Sequence, residues 1–230
     1  MMRALTFPIL VAGVLLATAS AAAAQEPPET EPIGRFVLDA RAVVPRFQAD
    51  PILASALDVV VTNMPKQGFG YAVGGQVYPF RKGPVTFGFG GEVMVSTASL
   101  TLEPTTEGGE PGPTVNRKLT VVSPTVSLNF GKRQGWSYLT GGVGYSTFTL
   151  EREAEPTPPD IIVIGTPVVD PTPQPLAINY GGGARWFLTR HIALTMDLRF
   201  YRIQAQPAGV TRAAIPKTRV LVLSIGTAFK

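Results

Sequence analysis

The chain has no cysteine and one histidine among its 230 residues, and only 16% of those residues are charged. The missing thiols exclude a disulfide framework, so an exported protein of this composition must rest on hydrogen-bonded ladders and packing. With no cysteine and no second imidazole, a transition-metal centre has nothing to be built from. Long hydrophobic runs are also missing beyond the first two dozen residues. The best later run, Pro51 to Val61, is broken by Asp58, and no transmembrane helix is expected there.

Glycine and proline, at 24 and 22 residues, are plentiful. They suit turns and close backbone approaches and are poor material for helices. The opening stretch, MMRALTFPILVAGVLLATASAAAAQEPPE, sets Arg3 ahead of an apolar run and then a string of small residues. That is the order of a secretory signal peptide, with Ala22-Ala23-Ala24 as its cleavage site. The expected division is a signal peptide over 1–24, a Pro/Glu-rich lead over 25–32 and one domain over 33–230.

Eight strands are predicted: Ile33 to Val44, Gly68 to Phe80, Pro84 to Leu102, Arg117 to Phe130, Gly135 to Leu150, Leu176 to Phe187, Ile192 to Gln204 and Arg219 to Phe229. The joins alternate strictly between short and long. RKG (Arg81 to Gly83), GKRQG (Gly131 to Gly135) and LTRH (Leu188 to His191) are short. Pro45 to Gln67, Glu103 to Asn116, Glu151 to Pro175 and Ala205 to Thr218 are long. Barrels of the outer membrane pair short periplasmic turns with long external loops in this way. Both chain ends then lie on the short-turn side.

The stretch HIALTMDLRFYR (His191 to Arg202) decides which face is inside. Ile192, Leu194, Met196, Leu198 and Phe200 share one side, and Ala193, Thr195, Asp197, Arg199 and Tyr201 the other. A soluble sheet would bury the apolar side and solvate its opposite with lysine and glutamate. All six lysines, Lys66, Lys82, Lys118, Lys132, Lys217 and Lys230, instead sit in joins or at strand ends. The faces opposite the bulky residues are small and neutral, as in Ser123, Thr125, Ser127 and Asn129, or Asn179, Gly181 and Gly183. Such residues fit a narrow lumen. By parity the charges on that inner face are Arg35, Asp39, Arg41, Glu92, Arg185, Asp197 and Arg199, expected to pair across the lumen because a lone buried charge is very costly. The lipid face would carry Phe36, Leu38, Phe87, Phe89, Val126, Leu128, Tyr180, Trp186, Leu223 and Ile225. Tyr78, Phe80, Phe130, Trp136, Tyr138, Trp186 and Phe187, beside the short turns, read as an interfacial aromatic girdle.

Signal peptide, eight alternating strands, alternating loop lengths and a last strand RVLVLSIGTAF resemble the small outer-membrane β-barrel proteins, the OmpA-like and OmpW-like barrels. The resemblance spans the whole mature chain and rests on pattern. It implies an all-β, eight-stranded antiparallel up-and-down barrel in the outer membrane of a Gram-negative-type cell, next to lipid and lipopolysaccharide, inserted by the barrel-assembly machinery. One departure is that Phe229 is followed by Lys230, where such barrels usually finish on the aromatic itself.

Some barrels of this kind are lipid-modifying enzymes, resembling hydrolases that use a histidine with a serine. Here the only histidine, His191, lies in a short turn, so no catalytic residue is assigned and no enzyme is expected. GFGYAVGG and GFGGE lie within strands and open no helix, which argues against a phosphate loop. No cofactor and no metal site is expected. The basic residues are dispersed in an exported chain, which argues against nucleic acid. The acidic long loops (Glu103, Glu107 and Glu110; Glu151, Glu153, Glu155, Asp160 and Asp170) either bridge to lipopolysaccharide phosphates through Ca²⁺ or Mg²⁺ or are simply solvated. The first long loop, DPILASALDVVVTNMP, is apolar enough for a short helix or an extension of the second strand. It either lines a mouth for small hydrophobic molecules, in a narrow channel, or caps the rim. The other reading of the whole chain is a soluble secreted β-barrel around an apolar ligand, with every face inverted.

Overall fold

A computed structural model describes residues 33–57, 59–103, 112–132, 135–152, 174–208 and 214–230. The expected signal peptide and lead, together with Glu107, Glu110, Glu153, Glu155, Asp160 and Asp170, lie outside the described residues. The strands are β1 (Phe36–Phe47), β2 (Phe69–Lys82), β3 (Val85–Thr101), β4 (Thr114–Lys132), β5 (Gly135–Arg152), β6 (Leu176–Phe187), β7 (Ile192–Ile203) and β8 (Thr218–Phe229). Each pairs antiparallel with its neighbours in sequence, and β8 returns to β1 from Leu38↔Phe229 to Phe47↔Val220, closing the barrel. Closure satisfies the backbone groups that an open sheet would leave at its edges.

The eight strands are those predicted, with differences at their ends. The first begins and ends three residues later than expected, because Pro45 reads as a breaker yet lies inside β1. Its carbonyl accepts from the Gly68 N–H at 3.0 Å, so the missing N–H would also point toward β2. The registered β1–β2 ladder already stops at Val43↔Gly70, so no ladder bond is lost there. Between β2 and β3 the tight turn uses Gly83 at φ 61, a conformation open to glycine.

Strand lengths are unequal. β3, β4 and β5 run 17, 19 and 18 residues, against 12 for β1, β6, β7 and β8. The long-loop end therefore carries a wall built from β3, β4 and β5 that rises past its neighbours. The first long loop folds against it as a short helix, α1 (Pro51–Ala56), followed by a 3-10 turn at Val61–Asn63. Of the two forms expected for this loop, the helix is the one present. Pro51 at the first turn and Asp50 as N-cap favour it.

Alternation is preserved around the barrel. In β7, Asp197 and Arg199 are 5% and 4% exposed while Leu198 and Phe200 are 41% and 43% exposed. Large apolar side chains point outward from every one of the eight strands, among them Phe36, Val73, Phe89, Val126, Leu139, Tyr180, Met196 and Ile225.

Candidate functional site

Three layers of buried side chains occupy the lumen. At the short-turn end Tyr78, Trp136, Tyr138 and Phe187 pack with Ile33 and Val37. The Trp136 ring lies 4.8 Å from Phe187 and meets Tyr78 edge-on at 6.4 Å. This corrects the girdle expectation for these four residues. Phe80, Phe130 and Trp186 do face outward, whereas Tyr78, Trp136, Tyr138 and Phe187 form a plug inside. Strand-end position is shared by both arrangements, and only parity separates them.

Above the plug lies the charged layer, contributed by four strands. Arg41 sits at its centre, with Nε 2.8 Å from Asp39 Oδ1, Nη1 3.3 Å from Asp197 Oδ2, and Nη2 on Glu92. Arg199 reaches Glu92 Oε1 at 2.8 Å and Asp197 Oδ1 at 2.9 Å, and Arg185 Nη2 reaches Asp39 Oδ2 at 2.8 Å. Three arginines thus meet three carboxylates, all buried. Hydroxyls supply further partners: Tyr201 donates to Glu92 and Tyr138 to Asp197, each at 2.8 Å. Arg185 donates to the Tyr78 hydroxyl at 3.1 Å and stacks 4.5 Å over the Tyr138 ring. This layer is therefore keyed to the aromatic plug beneath it, and its ion pairs tie together strands that are not hydrogen-bonded neighbours, β1 to β3, β6 and β7, and β3 to β7.

Arg35 is the exception among the seven expected lumenal charges. It is exposed, one residue before β1 begins, and lines an open hollow at the short-turn rim with Val77, Tyr78, Pro79 and Arg81. Parity carried the alternation past the true strand start, into a segment where the side chain has the open rim to occupy.

The third layer is apolar and faces the long loops. Val43, Phe47, Met94, Leu119, Phe148, Val220 and Val222 pack with Leu53, Ala54 and Met64 of the first long loop. The loop therefore covers the mouth. Two arginines of the tall wall tie it down at both ends of α1: Arg117 Nη1 donates to the Gln48 carbonyl and Arg152 Nη1 to the Leu57 carbonyl, each at 3.2 Å. The predicted fourth strand starts at Arg117, whereas β4 begins at Thr114, which sets Arg117 within the strand with its side chain inward.

The N-cap offers a local test of the cover. Asp50 Oδ1 accepts from the Ile52 N–H at 2.8 Å. Asp50→Ala is expected to weaken α1 by about 1 kcal/mol. Limited proteolysis between Gln48 and Met64 would then quicken about fivefold, with the thermal midpoint of the barrel unchanged. An unaltered cleavage rate would show that packing alone holds the cover.

His191 stacks on Phe229, 5.9 Å between ring centroids, in the short turn where the sequence placed it. Among the described residues no group of three or more His, Asp or Glu side chains is placed to hold a metal ion.

No protein-family model matches the sequence, and no curated protein matches it either. Solved structures do. Neisserial surface protein A superimposes with a TM-score of 0.50 at 14% identity, over 87% of this chain and 99% of that one. At that identity the likeness is one of fold. The attachment invasion locus protein Ail of Yersinia pestis gives 0.47 at 10% identity, covering 84% of this chain and 96% of Ail. OprG, an outer membrane protein from Pseudomonas aeruginosa, gives 0.42 at 12%, covering 84% of this chain and 94% of its own.

Proposed function

We propose that this chain is a non-enzymatic outer-membrane barrel, exported by a signal peptide cleaved after Ala24, whose closed lumen anchors long loops at the surface of a Gram-negative-type cell. One observation carries the reading. All eight strands turn large apolar side chains outward around a closed barrel whose interior holds six paired charges. A continuous apolar belt of this extent suits hydrocarbon and would drive aggregation in water. The soluble, ligand-binding alternative needs the opposite arrangement. Lipid and lipopolysaccharide are the neighbours this reading implies, with the barrel-assembly machinery as the route of insertion.

The filled lumen argues for a structural or surface-interaction role over conduction. An eight-stranded barrel leaves little space beyond its own side chains, and here aromatic, charged and apolar layers occupy it in turn. Expression in a Gram-negative host is expected to give an outer-membrane band whose gel mobility changes on boiling. In planar bilayers the purified protein is expected to show no steady open level. A soluble product would overturn the membrane assignment, and a stable conductance would overturn the closed lumen.

A further inference from the structure

We infer that Arg117 is the anion-recognising group of a binding site, beneath the first long loop, for a single-chain amphiphile with a carboxylate head. The inference goes beyond the anchoring role and concerns the apolar layer alone. Arg117 is 0% exposed, yet Nε and Nη2 have no hydrogen-bond partner. Its third nitrogen, Nη1, donates to the Gln48 carbonyl at 3.2 Å. The two free nitrogens share one edge of the guanidinium plane, and their parallel N–H groups match the two oxygens of a carboxylate. A lysine in the same place would offer no such fork.

Among the described residues no carboxylate forms an ion pair with Arg117. The three carboxylates of the central layer are taken by Arg41, Arg185 and Arg199. Asp50 attracts Arg117 across the loop but makes no ion pair with it, and its Oδ1 accepts from the Ile52 and Leu53 N–H groups. A buried guanidinium with two idle donors calls for an anion or for water.

The surroundings choose an apolar tail for that anion. Val115 and Leu119 flank Arg117 on the inward face of β4, and both are fully buried. Directly across the ladder stand Ala98 in β3 and Leu150 in β5. The Phe47 ring lies 5.7 Å from the guanidinium carbon. A short hydrophilic anion would gain nothing from these walls, whereas an alkyl carboxylate uses both parts of the site. Entry exchanges the bond from Arg117 to a neutral carbonyl for a bidentate ionic pair and shifts the cover held by Arg117 and Arg152.

The test uses the full barrel in nanodiscs of zwitterionic lipid, with dodecanoate as probe and dodecanol as its uncharged match. Dodecanoate is expected to move the Arg117 Nε–H resonance saturably and to bind about tenfold more tightly than dodecanol. Arg117→Gln is expected to remove that tenfold preference while the heat-shifted gel band, the sign of an intact barrel, persists. Equal affinity for the two probes, or unchanged dodecanoate binding by Arg117→Gln, would overturn the site and leave Arg117 as a hydrated tie for the loop. If Arg117→Gln gives no heat-shifted band, the comparison of probes on the unmodified protein decides alone. Failure of the unmodified protein to enter nanodiscs would count against the membrane reading instead.

Discussion

Arg41→Ala is expected to destabilise the barrel by about 3–5 kcal/mol, the usual cost of breaking a buried ion pair from one side. Arg41 touches Asp39, Glu92 and Asp197, and no other residue of the layer bridges all three carboxylates. Removing it leaves three buried negative charges facing two arginines. Arg199→Ala removes contacts to two of those carboxylates and is expected to cost less. The measurement is urea unfolding in lipid vesicles, followed by loss of the compact band on an unboiled gel. The double variant Arg41→Ala with Glu92→Ala should recover part of the loss, because it removes one charge of each sign. Equal midpoints for the unmodified protein and Arg41→Ala would refute the view that the layer holds the strands together.

Trp136→Ala against Trp186→Ala is the second large contrast, and it separates plug from girdle. Trp136 is 4% exposed and Trp186 48% exposed. Emptying the first position is expected to cost about 3–5 kcal/mol, since a packed indole is replaced by a void beside Phe187 and Tyr78. Trp186 keeps most of its surface outside the barrel, and its removal should cost far less. The same unfolding assay reads both. In planar bilayers Trp136→Ala should also raise transient leak, while Trp186→Ala should not. The reverse order of destabilisation would place the interfacial ring, not the lumen, in charge of the short-turn end.

Much of this architecture was legible because a barrel strand writes its two environments in alternate letters. Asp197 and Arg199 between Met196, Leu198 and Phe200 leave one way to face a strand whose neighbours carry no mid-strand lysine. The short turns at Gly83 and at Leu188 to His191 fix which strands are hairpin partners. What alternation does not encode is where a strand stops. Alternation alone therefore puts Arg35 in the lumen and Arg117 at a strand end, whereas the structure exposes Arg35 and buries Arg117. The aromatic plug was readable in principle, for Tyr78 shares the parity of Gln76, and Trp136 and Tyr138 share that of Thr140. Their position near the turns obscured it, because aromatic rings suit both an interface and the closed end of a narrow lumen. How α1 covers the mouth depends on contacts between distant segments, Leu57 with Arg152 and Gln48 with Arg117, that no local pattern contains.

The placement of the six central charges along the chain bears on how the barrel comes together. Asp39, Arg41 and Glu92 belong to the first three strands and carry one excess negative charge. Arg185, Asp197 and Arg199 belong to the sixth and seventh and carry one excess positive charge. Within the first half Arg41 already holds both Asp39 and Glu92, and within the second Arg199 holds Asp197, so Arg185 takes its carboxylate, Asp39, from the first half, while Arg41 and Arg199 also reach Asp197 and Glu92 across the lumen. Two half-formed sheets therefore attract each other through a low-dielectric gap, and neither is electrically complete alone. Closure of β8 on β1 brings the two groups of charges together and cancels the imbalance.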